Sequence, residues 1–244
     1  MEKGEKKFLK EYDISKFERP SVTVDLVIFT VIDNELKVLL IKRGMPPFEG
    51  YWALPGGFIR IDESLREAAR RELKEETGIN PDEFYLEQLY TFGEPKRDPR
   101  TRVITVAHYA LVDSKKIKPH VTGMEEIKAV QWHHAHDLPE KLAFDHKDII
   151  NYAITRLKYK LEYTAVGLEL LSEFFTLTDL QKLYEEILNE KLDKRNFRKK
   201  IFSMDIIEAT KQFKKGGHRP ALLYKFKKAK PSISTFKKTK FEQH

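Results

Sequence analysis

The chain contains no cysteine in 244 residues, which excludes structural disulfides, thiolate zinc centres and a cysteine nucleophile. Long apolar runs are also missing. The longest, Leu26–Ile32, falls far short of the ~20 residues a membrane-spanning helix needs. Met1-Glu2-Lys3-Gly4-Glu5 holds no apolar signal core, so a cytoplasmic protein without membrane attachment is expected. Acidic residues are scarce in one part only. Residues 1–160 hold 27 Lys+Arg and 27 Asp+Glu, residues 161–244 hold 18 and 11, and Lys191–Lys240 holds 17 and three. The net charge of +7 therefore belongs to the last third, which implies two domains with two kinds of partner. With 41% hydrophobic residues and a mean hydropathy of −0.54, the chain can bury a core and stay soluble.

What is present is an unusual helix. Over Ser64–Thr77 a 3.6-residue period puts Glu72, Glu75 and Glu76 on the side of Leu65, Ala68, Ala69 and Leu73, with Arg66, Glu67, Arg70 and Lys74 opposite. An ordinary charged surface helix would keep its acids on the outer face. Three inward carboxylates are costly without positive compensation, and the single guanidinium of Arg71 is too little. A divalent cation meets the need: Glu72 and Glu76 are four apart with Glu75 beside them, hard oxygen ligands suited to Mg²⁺, or to Mn²⁺. Ser64-x-x-Glu67 is a capping box and Gly78 a C′ residue, so both ends are marked. Leu54-Pro55-Gly56-Gly57 precedes it as a turn that lets the Gly56 carbonyl approach an ion.

Gly57, Glu63, Arg71-Glu72-Leu73, Glu75-Glu76 and Gly78-Ile79, at their spacings, resemble the Nudix hydrolase box at every position. The resemblance implies a mixed-sheet α/β/α sandwich, with Gly56, Glu72, Glu75 and Glu76 holding the metal and Arg71, paired with Glu63, orienting the carboxylates. It also implies a loop acid that completes the site or acts as general base, and Glu125 and Glu126 are equal candidates.

Elsewhere in residues 1–158, the expected Nudix domain, residues 2–20 read as an arm. Val22–Ile32 and Leu36–Lys42 read as a hairpin around Asp33-Asn34, and 46–57 as a loop around Trp52. Phe84–Phe92, Val103–Val112 and Ala129–Trp132 read as strands. The polar loop 93–100 is placed to meet a substrate, and Lys96, Arg97, Arg100 and Arg102 read equally as phosphate or carboxylate contacts and as a solvated hairpin tip. Pro95 resembles the proline of the ADP-ribose pyrophosphatase subgroup. His133, His134 and His136 lack helical ligand spacing and read as a polar loop. Asp145–Tyr159 is an amphipathic helix that closes the domain, and Lys158–Leu161 is the expected junction.

Residues 159–230 read as a winged helix-turn-helix. A short apolar segment around Val166–Leu171 comes first. Thr176–Asp179 opens a helix over Leu180–Asn189, and Asp193 caps a second helix to about Met204. The second carries Phe197 and Ile201 on one face and Lys194, Arg195, Asn196, Arg198 and Lys199 elsewhere, as a DNA-contacting helix does. Ile206–Thr210 and Ala221–Phe226 flank a basic tip with Lys214, Lys215, His218 and Arg219, as a wing requires. Pro231–His244 reads as a basic, disordered tail. A Nudix domain followed by this domain resembles the Nudix-related transcriptional regulators of NAD metabolism, through Leu192–Lys200 and Ala143-Phe144-Asp145-His146. That resemblance implies a homodimer that binds operator DNA and an ADP-ribose-type nucleotide. The intact box adds an expectation of Mg²⁺-dependent hydrolysis of ADP-ribose to AMP and ribose 5-phosphate. The alternatives are a catalytically silent sensor and a plain ADP-ribose pyrophosphatase with non-specific nucleic-acid affinity.

Overall fold

The computed structural model describes residues 3–80, 85–112, 120, 125–163, 170–214 and 220–227. The chain forms two units, Met1–Thr30 with Lys37–Arg156, and Val31–Leu36 with Leu157–His244. Among the described residues no helix is long and apolar enough to cross a membrane.

The first unit is a seven-stranded mixed sheet with helices. Strand β1 (Ser21–Ile32) is rich in β-branched residues and almost wholly buried. It turns through Asp33 and Asn34, both at positive φ (54° and 64°), into β2 (Glu35–Arg43), the left-handed pair that suits a two-residue hairpin. β2 pairs antiparallel with β3 (Trp52–Ala53) and β7 (Ile127–His134). β1 pairs antiparallel with β4 (Gly56–Phe58) and parallel with β6 (Val103–Leu111), and β6 pairs antiparallel with β5 (Tyr85–Phe92). Along β1 the side chains alternate. Val24, Leu26 and Ile28 pack with Ala68, Ala69 and Leu73 of helix α2 (Leu65–Thr77) in one core, whereas Thr23 and Asp25 are buried on the opposite side. Helix α3 (His146–Tyr163) buries Ile149, Ile150, Ala153, Ile154 and Leu157.

α2 follows its sequence signals. The Ser64 side chain accepts from the Glu67 N–H, the Glu67 carboxylate accepts from the Ser64 N–H, and Gly78 closes the helix at φ 70°. Other expectations need correction. The N-terminal arm contains helix α1 (Lys3–Glu11) and a 3-10 turn at Ile14–Lys16. The loop around Trp52 contains β3 and β4, strands too short to show periodicity. His133 and His134 lie on β7, not in a loop. The expected junction Lys158–Leu161 falls within α3.

In the second unit, α4 (Leu177–Leu188) starts three residues before the expected Leu180, because Thr176 and Asp179 form its capping box, and ends on left-handed Asn189. Leu192 is clamped in the turn: its N–H donates to Glu185 and its carbonyl accepts from Gln181, both at 3.0 Å. α5 (Lys194–Ser203) follows with Asp193 as cap. β8 (Ile207–Lys214) and β9 (Ala221–Phe226) form the antiparallel hairpin, and Phe175 bridges to Tyr224. Leu180, Leu183, Ile187, Phe197 and Ile201 make its core. The hairpin tip, the tail and residues 164–169 of the apolar segment lie outside the described residues.

The Tyr184 ring packs against Phe197 at 5.3 Å, but its buried hydroxyl has no partner among the described residues. Replacing an unpaired buried hydroxyl costs nothing or stabilises, by up to about 1 kcal/mol. Tyr184→Phe is therefore expected to match or exceed the parent in urea denaturation. A loss of about 1 kcal/mol or more would reveal a partner.

Candidate functional site

The N-terminal end of β4 meets the C-terminal end of α2 at a cavity of about 330 Å³. Leu26 donates its N–H to the Pro55 carbonyl at 2.8 Å, which ties the preceding turn to β1. Gly56 follows at φ 154°, where an added Cβ would lie 2.2 Å from the Val24 carbonyl oxygen. Only glycine fits that approach. The Gly56 N–H then donates to the Glu76 carboxylate at 2.6 Å.

Glu72 and Glu76 are buried, at 7% and 8% exposure, and Glu75 is half-buried. Arg71 spans the acids. Its Nε and Nη2 donate to both oxygens of Glu63 at 2.9 and 2.5 Å, and Nη1 donates to Glu72 at 2.6 Å and Glu75 at 3.1 Å. The guanidinium thus compensates more of the helix's charge than its count suggests, and it holds the Glu63 pKa down at about 2. Glu76 has no such partner among the described residues. Burial, then the neighbouring carboxylates Glu72, Asp25 and Glu126, push its pKa well up against the opposing Gly56 N–H bond. Among the described residues no three acidic or histidine side chains converge in a metal-ligating group, since Glu72 and Glu75 both turn to Arg71.

The remaining predicted residues separate. Arg97 is buried and donates to Asp145 at 2.9 and 2.7 Å and to Asp25 at 3.1 Å. Burial opposes its charge, but the two aspartates outweigh it and raise its pKa. It lines the cavity as a strut between two carboxylates, not as an open cation. Arg100 also lines the cavity, gripped by both oxygens of Asp98 at 3.0 and 2.7 Å. Pro95 and Lys96 are exposed, and neither lines the cavity. Arg102 reaches the Val103 carbonyl. Glu126 lines the cavity; Glu125, exposed in the same turn, does not.

Sequence reasoning missed Asp25, Arg43, Phe58 and His146, which all line the cavity. Asp25 had a signal: a lone charge inside an apolar strand must have a buried partner. His146 Nδ1 accepts the Leu54 N–H at 2.8 Å, so its proton sits on Nε2, 3.7 Å from Asp25. Its burial lowers its pKa and keeps it neutral. Arg43 bonds the Pro47 and Met45 carbonyls.

In the second unit Lys194, Arg195, Asn196 and Lys199 are exposed on α5 and Arg198 half-buried, while Phe197 and Ile201 anchor the helix inward. Lys214 pairs with Asp179 at 3.4 Å. Lys215, His218 and Arg219 lie outside the described residues.

Comparisons with known proteins agree with this division. The NUDIX domain profile matches residues 22–153, and the NrtR DNA-binding winged helix domain profile matches residues 167–226. The chain is similar to the ADPR responsive transcriptional repressor NtrR of Acinetobacter baylyi, with 42% identity over 91% of this chain and 88% of that one. It is 39% identical to the ADP-ribose pyrophosphatase of Methanocaldococcus jannaschii over 59% of this chain and 81% of the enzyme. Shewanella oneidensis NrtR in complex with a 27mer DNA is similar at TM-score 0.73 and 38% identity, covering 84% of this chain and 93% of that one. Its isolated NUDIX domain in complex with ADP ribose is similar at TM-score 0.57 and 39% identity, covering 64% and 99%. From the intact box, the α2 geometry and these likenesses together, the chain belongs to the Nudix family, among members that carry an NrtR-type winged helix behind the Nudix domain.

Proposed function

We propose that the protein is a cytoplasmic, homodimeric transcriptional repressor that binds operator DNA through its winged helix and ADP-ribose in the Nudix cavity, and that it retains Mg²⁺-dependent hydrolysis of that ligand. The observation that carries the hydrolytic part is Glu76, a buried carboxylate facing Asp25, Glu72 and Glu126 with, among the described residues, a single N–H bond to relieve it. The donor set, carboxylate and carbonyl oxygens alone, has the chemistry of a hard-cation site, with Glu72 and Glu75 turned to Arg71 in its absence. Oxygens of Glu72 and Glu75 already meet at one positive atom, Arg71 Nη1. The Gly56 carbonyl, Glu72, Glu75 and Glu76 would hold Mg²⁺ or Mn²⁺, which when bound neutralises charge developing on the diphosphate and acidifies water.

The chain's own residues supply the rest. Arg71 with Glu63 keeps the carboxylates oriented, and the strut Asp25–Arg97–Asp145 holds the cavity wall. Arg100, which also lines the cavity, contributes positive charge toward the ligand. Glu126 is the better placed of the two loop acids to accept the proton as water attacks phosphorus and the P–O bond to the leaving phosphate breaks. A second reading, a sensor without turnover, draws on the same Arg71 contacts, which occupy two of the acids.

Glu76→Gln separates the two readings. Release of phosphate from ADP-ribose products by a coupled phosphatase, with Mg²⁺ present, is expected to fall on the order of 100-fold or more. Equal rates in parent and variant would remove catalysis and leave the sensor. The variant also changes stability. Because the folded pKa lies above 4.5, the folded state keeps its proton to higher pH than the unfolded chain, and stability falls as pH rises from 4.5 through the folded value. Metal-free Glu76→Gln should therefore melt above the parent at neutral pH and converge with it towards pH 4.5, and Mg²⁺ should raise the Tm of the parent but not of the variant.

For DNA, gel shifts on the region upstream of the chain's own coding sequence should give a strongly salt-dependent affinity that ADP-ribose weakens. Arg195→Ala should reduce the slope of log affinity against log salt by about one. Binding that ignores both sequence and ligand would leave a hydrolase with non-specific nucleic-acid affinity.

A further inference from the structure

Phe213, at the penultimate position of β8, is 56% exposed. A single exposed ring is ordinary on a protein surface, but this one is put in place by a built irregularity. Ala209 pairs with Tyr224 and Phe213 with Leu222, so residues 210–212 stand opposite Leu223 alone. Regular pairing from Ala209 onward would bring Lys211 to Leu222. The bulge brings Phe213 there instead and adds twist to the hairpin. Thr210 locks the bulge: its hydroxyl donates to the Leu223 carbonyl at 2.8 Å and accepts the Gln212 N–H at 3.1 Å.

Paired residues share a face of a hairpin, and so do alternate residues of one strand. Phe226, Tyr224, Leu222 and Phe213 therefore lie along one face. At its base Phe226 stacks on the buried ring of Phe175 at 4.7 Å. Further along, Tyr224 meets Phe202 of α5 at 6.1 Å. Phe213 comes next, so the face that covers the core runs past α5 and ends in an exposed ring. The surrounding charge selects its partner. Residues 209–227 hold six Lys+Arg and no Asp or Glu, which attracts a polyanion and repels a cationic surface. Nucleic acid is the polyanion that also presents flat apolar faces, those of its bases.

We propose that Phe213 is an apolar wedge: its ring enters between two stacked base pairs of the duplex held by α5, opens that step and bends the DNA. The proposal deepens the DNA-binding reading above and rests on it. A phenyl ring neutralises no phosphate, so its contribution to affinity is independent of salt, unlike that of the lysines around it. A wedge also favours steps that unstack readily, a pyrimidine followed by a purine. Phe213 thus reads sequence through the deformability of the duplex, without a hydrogen bond to any base.

Gel shifts of the full chain on the same upstream DNA, over a range of salt concentrations, test the wedge together with bending measured from the mobility of circularly permuted fragments. The parent should bend the fragment by roughly 20–90°. Phe213→Ala should bind about 10-fold more weakly, with an unchanged slope of log affinity against log salt, a smaller bend and the parental Tm. Phe213→Met, which keeps an apolar wedge, should retain most of the affinity and the bend. Parental affinity and bend in Phe213→Ala, or a parent complex without a bend, overturns the proposal. So does a loss of affinity accompanied by a shallower salt slope or a lower Tm, because displaced lysines or a weakened hairpin would then account for it. A parent protein that does not bind the fragment overturns the DNA-binding reading itself.

Discussion

A carboxylate withdrawn from water needs positive charge or donated hydrogen bonds, and the inner face of α2 concentrates that need. Glu72 and Glu76 are buried one helical turn apart, and the surrounding structure answers them from two directions. Arg71 spreads its donors over Glu63, Glu72, Glu75 and the Phe58 carbonyl, using the fixed fork of the guanidinium. Gly56 brings a backbone N–H to Glu76 through an approach that no side chain permits. The capping box and the left-handed Gly78 matter because they set the helix's phase. A one-residue slip would rotate the helix by about 100° and carry the buried acids to the surface while driving Arg70 or Lys74 inward.

The box was legible because its spacing encodes this phase directly. The cavity wall was not, since counting charges in loop 93–100 treats a strut and an open cation alike. Arg97 is fixed by Asp25 and Asp145, which lie 72 and 48 residues away in the chain, and nothing local announces such a pairing. Asp25 alone was readable, as a charge in an apolar strand. Phe58 was invisible for a different reason: an aromatic residue in sequence looks like core, and only its exposure says otherwise.

The fold shows the same divide between repeated and single-residue signals. β1, β2, α2 and α5 carry periodicity over many residues and appear close to where it placed them. β3 and β4, of two and three residues, owe their existence to pairing with β2 and β1, a tertiary cause. α1 was hidden by its composition: four lysines and two glutamates in nine residues resemble an unstructured arm more than a helix. α4 begins before the expected Leu180 because Thr176 itself is the cap and Asp179 its reciprocal partner inside the first turn.

The two units also differ in how they use cations. In the Nudix unit, Arg71 and Arg97 are each shared among two or more carboxylates, so their charge is largely spent on the protein itself. On α5 the first turn carries Lys194 and Arg195 and no acid beyond the capping Asp193. Cations there oppose the helix dipole at a cost of about 0.3–1 kcal/mol each. A phosphate at that end reverses the sign, since it meets both the dipole and the side chains favourably. Helix α5 is therefore arranged at some expense to the free protein, and a polyanionic partner turns that expense into binding energy.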